Sequence, residues 1–141
     1  MLPKTHALLG LIFSLIIFFI FHITPFYTSL IFFSSVFIDT DHYLWYVIQK
    51  KDFNLKKAFY FFKNLKKHPP YLMIFHTLEF FLLILILSFF WKSFFYVFLG
   101  MLFHVSLDII YEINKDVLSC REYFLTRKIF KIIKKNFNDS F

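Results

Sequence analysis

Four long apolar runs dominate this 141-residue chain and constrain what it can fold into. The runs cover residues 7–23, 26–48, 71–90 and 94–113. A helix needs roughly 20 residues to cross the hydrocarbon layer of a membrane, which is about 30 Å thick. Each run is close to that length or longer, so the sequence predicts four transmembrane helices.

The composition excludes several other classes of protein. Hydrophobic residues make up 59% of the chain, and a soluble domain of this size has too little interior to bury them. A disordered chain needs low hydrophobicity. The single cysteine, Cys120, excludes a disulfide framework and a cysteine-rich zinc ribbon. The first run resembles a signal peptide, but no small-residue cleavage site follows it, so a retained helix is expected.

The distribution of positive charge predicts the orientation in the membrane. Fifteen of the 16 Lys and Arg residues lie before the first run, in the loop of residues 49–70, or after residue 113. Only Lys92 lies on the other side. Because positively charged segments stay in the cytoplasm, both termini are expected there. The basic residues form no stripe with exposed aromatic residues, so membrane lipids rather than nucleic acid are the expected partners.

Two further segments have the pattern of amphipathic helices. In the loop, apolar residues recur at helical spacing between lysines, and the same holds in the tail after residue 124. Both are predicted to lie on the cytoplasmic membrane surface, with a partner-binding tail as the alternative. The predicted fold is therefore all-α. It has a four-helix transmembrane bundle in residues 1–113, with a loop helix near 53–67, and a basic amphipathic tail in residues 114–141.

Ionisable side chains inside the apolar runs are costly and by default indicate function. At a rise of about 1.5 Å per residue, those of all four runs lie about 16–26 Å from the external end of their helix. They are His6, Asp39, His42, His76, Glu79, His104 and Asp108. Within a helix they are three or four residues apart, and such pairs share a face. Asp41 does not fit this spacing. Either the helix loosens there, or Asp41 holds the other residues in place by a hydrogen bond without binding a metal ion itself.

Imidazole and carboxylate groups that converge from four helices are a ligand set for Zn, Mn or Fe. Zn is the first expectation, and the carboxylates leave room for one or two ions. The alternative without metal is a set of internal ion pairs that fix helix packing. His22, at the external end, and His68, in the loop, are expected to lie outside the site.

Four short motifs occur in order along the chain. They are Thr-His-Ala-Leu-Leu-Gly at 5–10, Asp-Thr-Asp-His at 39–42, His-Thr-Leu-Glu at 76–79, and Gly-Met-Leu-Phe-His at 100–104 followed by Asp108. In this order they resemble the small YdjM-type inner-membrane metal-dependent hydrolases of bacteria and archaea. The resemblance covers the chain to about residue 112, and the tail has no counterpart. This chain has Ile38 where that family often has a proline.

The resemblance implies a membrane-embedded metal-dependent hydrolase in the plasma (inner) membrane of a prokaryote. The depth of the predicted site, in the cytoplasmic leaflet near the lysines, suggests a phospholipid or a lipid-linked phosphoester as the substrate. The metal ligands would be His6, Asp41, His42, His76, His104 and Asp108. Asp39 and Glu79 would be the catalytic pair, as general base or as support for the ligands. For Glu79 the spacing in the sequence also suggests this role. Glu79 is three residues from His76, and its carboxylate can accept a proton.

Other classes of function remain open at this point. A small ion or metal transporter also uses histidines and carboxylates in the membrane, but the external halves of the runs have few polar residues. A non-catalytic metal-binding protein, a b-type haem carrier, and a scaffold that recruits a partner through its tail are further alternatives. Metal analysis of the purified protein separates them most directly.

Overall fold

The computed structural model describes residues 3–64, 73–114, 124–126 and 130, and within these ranges it contains helices and no strand. The helices are α1 (Pro3–Phe21), α2 (Pro25–Phe37), α3 (Thr40–Lys50), α4 (Leu55–Asn64), a short 3-10 helix (Ile74–His76), α5 (Leu78–Phe90) and α6 (Lys92–Ile113). The all-α prediction is confirmed. Among the described residues, two helices are long and apolar enough to cross a membrane, Lys4–Phe21 and Lys92–Ile113. A buried core helix or an N-terminal signal sequence has the same properties.

Helix α2 packs against α1 and α6, and α5 packs against α6. Ring contacts set the register of these pairs. Tyr27 of α2 stacks on Tyr96 of α6 with ring centroids 4.3 Å apart, and Phe13 of α1 stacks on Phe103 of α6 at 4.0 Å. The turns at residues 22–24 and at Trp91 therefore lie at one end of the bundle. The start of α1 and the end of α2 lie at the other.

The only two glycines of the chain lie where helices approach each other closely. A Cβ atom on Gly100 of α6 would collide with the carbonyl oxygen of Ile31 and the hydroxyl of Ser34, both in α2. A Cβ atom on Gly10 of α1 would collide with the hydroxyl of Ser35. Small residues let helix backbones pack together in this way. As a result, the backbone of α2 lies against α6 one turn before His104.

The second and third apolar runs are not single helices, which corrects the prediction of four continuous spans. Helices α2 and α5 are 13 residues long each. A turn at Ile38 and Asp39 separates α2 from α3. In the third run the 3-10 helix comes first, and the Thr77 hydroxyl then accepts a hydrogen bond from the backbone N–H of Phe80 to begin α5. Polar side chains such as Thr77 favour these breaks because they bond to nearby backbone groups and so compete with a continuous helix.

Polar and apolar side chains are distributed in the reverse of the usual way. The buried polar residues are His6, Ser14, Ser35, Asp41, His76, Thr77, His104 and Asp108. Large apolar side chains cover the outside of α1, α2, α5 and α6, and Phe19 and Phe89 are 69% and 81% exposed. Polar groups are therefore concentrated inside the bundle, and its outer surface is apolar.

Helix α4 packs on α3 through one part of its surface. Ala58 is buried, and the ring of Phe61 packs on that of Tyr46 in α3, with ring centroids 5.6 Å apart. Leu55 and Phe59 are exposed, so the predicted apolar face is divided between protein contact and the outside. The predicted loop helix continues to residue 67, and its last residues lie outside the described part of the chain. The same holds for His68, for Cys120 and for most of the predicted tail helix.

The start of α4 is organised by an exposed ion pair. The ammonium group of Lys57 lies 2.9 Å from a carboxylate oxygen of Asp52. This hydrogen bond, together with one from the backbone N–H of Asn54, lowers the pKa of Asp52. The side chain of Asn54 in turn accepts from the backbone N–H of Lys57, which caps the helix.

Candidate metal centre

Four of the residues singled out from the sequence form one group at the end of the bundle opposite the tight turns. Each offers one ligand atom, and these atoms all lie within 4.8 Å of one another. The residues are Asp39 after α2, His76 in the 3-10 helix, and His104 and Asp108 in α6. They come from segments that are far apart in the sequence, so the tertiary fold assembles the group.

The spacing of these four atoms is close to that of a metal site. His104 Nε2 lies 3.4 Å from Asp39 Oδ1 and 3.5 Å from Asp108 Oδ2. His76 Nε2 lies 3.8 and 3.9 Å from the same two oxygens. Four ligands at about 2.1 Å from a tetrahedral ion would be about 3.4 Å apart. The four nitrogen–oxygen distances therefore lie within about half an ångström of those expected around one ion.

The hydrogen bond on the other side of His104 determines what its Nε2 presents. Nδ1 of this fully buried ring lies 2.6 Å from the carbonyl oxygen of Ser35. Because a carbonyl only accepts, Nδ1 carries the proton, and in the neutral ring Nε2 carries the lone pair. Nε2 makes no hydrogen bond within the described residues. It faces two carboxylates, which is unfavourable unless a cation lies between them or the ring is protonated.

Asp41 orients His76 in the same way. Its Oδ2 atom lies 2.9 Å from His76 Nδ1 and also accepts a hydrogen bond from the backbone N–H of Phe75. The proton is therefore on Nδ1, and Nε2 of His76 faces Asp39 and Asp108. A carboxylate behind a histidine is the usual support of a metal-binding imidazole. The geometry thus favours Asp39 as a ligand and Asp41 as the support of His76. The sequence analysis expected Asp41 as a ligand and Asp39 as general base or support.

Asp41 also belongs to a second group, with His42 and His76. Its Oδ1 atom lies 3.0 Å from His42 Nδ1. His76 is a member of both groups, and a neutral imidazole has one lone pair. It therefore cannot bind an ion through each ring nitrogen at once, so the two groups are alternatives at His76. The first group has four members, is the more buried and leaves the hydrogen bonds of Asp41 intact.

His6 reaches the centre through Asp108. Its Nε2 atom lies 3.0 Å from Asp108 Oδ1, and its ring stacks on that of His104 with centroids 4.1 Å apart. His6 is a member of neither group of candidate ligands. The contact orients the Asp108 carboxylate, whose other oxygen faces His76 and His104.

Among the residues that the structure describes, the members of the centre are most exposed at Asp39 and His42. The side chains of Asp39 and His42 are 26% and 29% exposed, whereas those of the other members are almost fully buried. The ring of His42 lies edge-on to Phe62 of α4, with centroids 5.4 Å apart. A molecule that approaches from this exposed side passes α3 and α4.

Glu79 is a member of neither group, although the sequence placed it beside His76. The break at Thr77 puts the two residues in different helices, so the expected shared face does not exist. The Glu79 carboxylate instead accepts hydrogen bonds from the backbone N–H groups of Leu125 and Thr126, at 3.0 Å each, and from the Thr126 hydroxyl at 2.8 Å. These contacts are those of a helix cap. A role as general base stays a prediction.

We expect Glu79→Ala to release residues 124–126 without loss of metal. Loss of a cap costs about 1 kcal/mol, so trypsin cleavage after Arg127 and Lys128 should become roughly fivefold faster. Asp52→Ala, which removes a hydrogen-bonded carboxylate beside the start of α4, is the matched control and should leave that cleavage unchanged. Loss of bound metal in Glu79→Ala would instead favour a role in the centre.

The same contacts are compatible with an ion-pair network if the imidazoles are protonated. Two carboxylates, Asp39 and Asp108, would then pair with imidazolium groups rather than with a metal ion. Charge-assisted hydrogen bonds between nitrogen and oxygen are usually about 2.7–2.9 Å long. The four distances across the group are all longer than this, whereas the supporting bonds of Asp41 and His6 are 2.9–3.0 Å.

One important contact was missed in the sequence, the carbonyl of Ser35 that binds His104. A backbone acceptor has no signal of its own in a sequence. The nearest indication is indirect, since Ser34, Ser35 and Gly100 are small and permit close packing of α2 on α6. Comparison of the chain with protein-family models, with curated proteins and with solved structures finds no match.

Proposed function

We propose that this chain is a multi-pass membrane protein that binds a divalent metal ion and hydrolyses a phosphoester of a lipid. The observation that carries the proposal is the convergence of four ligand atoms inside a bundle with an apolar exterior. They belong to Asp39, His76, His104 and Asp108. The resemblance of four motifs to the YdjM-type hydrolases supports the same function.

The apolar exterior supports insertion in a membrane. Exposed apolar patches of this extent are rare on soluble monomers and mark contact with lipid or protein. Helices α1 and α6 have the length of spans. Helices α2 and α5 are shorter, but they continue into the α2–α3 turn and the 3-10 helix. Non-helical backbone is tolerated at membrane depth where protein buries it, and here Asp41 satisfies the N–H of Phe75.

The charge and the donor atoms of the centre suit a divalent ion. Asp39 and Asp108 contribute two negative charges, which one divalent ion neutralises. Both imidazoles carry their proton on Nδ1, because Ser35 and Asp41 accept it. The lone pairs of the two Nε2 atoms then face the same space as the carboxylates. Nitrogen and oxygen ligands of this kind suit Zn, Fe or Mn.

The chemistry of the centre follows from the metal ion and from the residues around it. A divalent ion supplies Lewis acidity, by which such ions promote hydrolysis near neutral pH. His6 and Asp41 keep the ligands in place, since each holds a ligand side chain by a hydrogen bond on its far side. His42 lies on the exposed side, held by Asp41 through Nδ1, where it meets the incoming substrate.

The test is hydrolysis by purified protein in mixed micelles. The substrates are phosphatidic acid, phosphatidylglycerol and a polyprenyl diphosphate, and released phosphate or headgroup is measured. We expect turnover of at least one, dependent on added divalent ion and lost in the His76→Ala/His104→Ala variant. Stoichiometric metal without turnover on any of them would favour a non-catalytic metal-binding protein. Metal-dependent uptake into proteoliposomes would favour a transporter.

We further expect α4 on the cytoplasmic side and the turn at Trp91 on the other. The fifteen-to-one distribution of basic residues is the reason. Single cysteines introduced at Asn54 and at Trp91, in a Cys120→Ser background, report the side through labelling of intact cells with an impermeant maleimide. Labelling at residue 54 but not at residue 91 would contradict this orientation.

A further inference from the structure

A groove of about 280 Å³ runs along the seam between α1 and α2. It lies between residues 11–18 of α1 and 25–32 of α2, and we call it the seam groove. Leu11, Phe18 and Phe32 contribute apolar side chains to its wall. The neighbouring surface, which includes Phe19 and Phe33, is exposed and apolar as well.

The hydroxyl groups in the seam groove are turned away from any ligand. Ser14, Thr28 and Ser29 each donate to a nearby backbone carbonyl oxygen, at 2.9, 3.1 and 2.7 Å. Each carbonyl lies three or four residues earlier in the chain. No donor of these side chains remains for an occupant, so the groove suits a hydrocarbon rather than a polar molecule.

The seam groove is aligned with the metal centre along both helices. Ser35, whose carbonyl binds His104, precedes the centre on α2. Along the axis of α2, Phe32 lies about 5 Å and Pro25 about 15 Å from Ser35. On α1, Leu11 and Phe18 lie about 8 and 18 Å from His6 by the same rise. The groove thus begins one to two turns from the centre and runs away from it, on α1 and α2 alike.

We propose that the seam groove binds one acyl chain of the lipid whose phosphate-bearing headgroup lies at the metal centre. The position of the headgroup rests on the proposed function, whereas the chain site rests on the groove. In a bilayer, lipid chains run from the headgroup towards the midplane, the direction in which the groove leaves the centre. Its volume is far too small for a helix of a second copy, which is about 10 Å across.

The test uses phosphatidylglycerol with a photoactivated diazirine in the middle of one acyl chain. The protein is reconstituted in nanodiscs that contain this lipid, irradiated, digested and analysed by mass spectrometry. We expect adducts in residues 11–18 and 25–32 at several times their level in α5, whose outer surface is also apolar and exposed. Equal labelling of α5 would overturn the proposal, and so would crosslinks to a second copy at the seam.

Two variants make the test specific. Ser29→Phe fills the groove and should lower its labelling about fivefold or more. Ser88→Phe is the matched control, because Ser88 is also half-buried in an apolar helix and donates to the carbonyl three residues earlier. It should leave the labelling of the groove unchanged. If Ser29→Phe does not insert, Phe32→Ala enlarges the groove and should raise its labelling. Unchanged labelling in an inserted groove variant would refute the chain site.

Metal content, measured on the same samples, separates this proposal from the proposed function. Groove labelling in a protein that binds no metal would leave the chain site standing and remove the hydrolase. Normal metal binding with uniform labelling would remove the chain site and leave the metal-dependent proposed function standing. To test the link between the two, the visible spectrum of the Co²⁺-loaded protein is recorded with dodecyl phosphate and with methyl phosphate. Dodecyl phosphate should change it at lower concentration, and Ser29→Phe should abolish that advantage. Equal responses would overturn the link between the chain site and the headgroup at the centre.

Discussion

Replacing both His76 and His104 by alanine should abolish stoichiometric metal binding and leave the helices inserted in the membrane. The variant keeps only Asp39 and Asp108 of the four converging residues, so its affinity for a divalent ion should fall at least about 10³-fold. Insertion depends on the apolar runs, which the two changes leave intact. Elemental analysis of protein purified in detergent gives the metal content, and membrane fractionation gives the insertion.

Stability provides a second measurement for the same variant. A ligand that binds only the folded protein adds about 2.7 kcal/mol when its concentration is 100 times Kd. Added Zn²⁺ or Mn²⁺ should therefore raise the thermal midpoint of the unmodified protein and of His22→Ala, the control at the opposite end of the bundle. It should not raise that of the double variant. A purified protein that takes up no Zn, Mn or Fe would favour the ion-pair network instead.

Asp39→Asn should weaken metal binding more than Asp41→Asn does. Asp39 provides an oxygen within the group of four, and an amide oxygen is a poorer, uncharged ligand. We expect a loss of affinity of at least about 10²-fold for Asp39→Asn, because groups that only support a ligand account for 10–100-fold. Asp41 lies behind His76, and an asparagine oxygen there still accepts the Nδ1 proton. Its replacement should cost about tenfold.

Competition titrations with a chelator of known affinity measure both variants. Asp41→Ala is the useful companion, since it removes the acceptor altogether and should approach a 100-fold loss. If Asp41→Asn is the more damaging of the two asparagine variants, the assignment of Asp41 as a metal ligand, made from the sequence, is the better one.

The sequence by itself determined the helical class, the apolar exterior and the residue types of the centre. The apolar runs predict helices because their hydrophobicity is continuous, and the rise per residue gives the depth of each ionisable side chain. This was sufficient to predict that His76, His104 and Asp108 lie at one level. It also singled out Asp39, although as general base or support rather than as a ligand.

Only the tertiary structure decided which atoms face one another. Whether a helix continues past Asp39 or Thr77 depends on a competition between helical and capping hydrogen bonds. Partners from elsewhere in the chain decide that competition, as the bond from the Phe75 N–H to Asp41 illustrates. The break at Thr77 separated Glu79 from His76 and left its carboxylate to cap residues 125–126.

The close packing of α2 on α6 decided the geometry of His104. The absence of a side chain at Gly100 brings the backbone of α2 near enough for the Ser35 carbonyl to accept the Nδ1 proton. Helical periodicity places residues on a face of their own helix, but it contains no distance between two helices. That distance depends on the shapes of both surfaces. The shared depth of the centre was therefore predictable, and the roles of Asp39 and Asp41 within it were not.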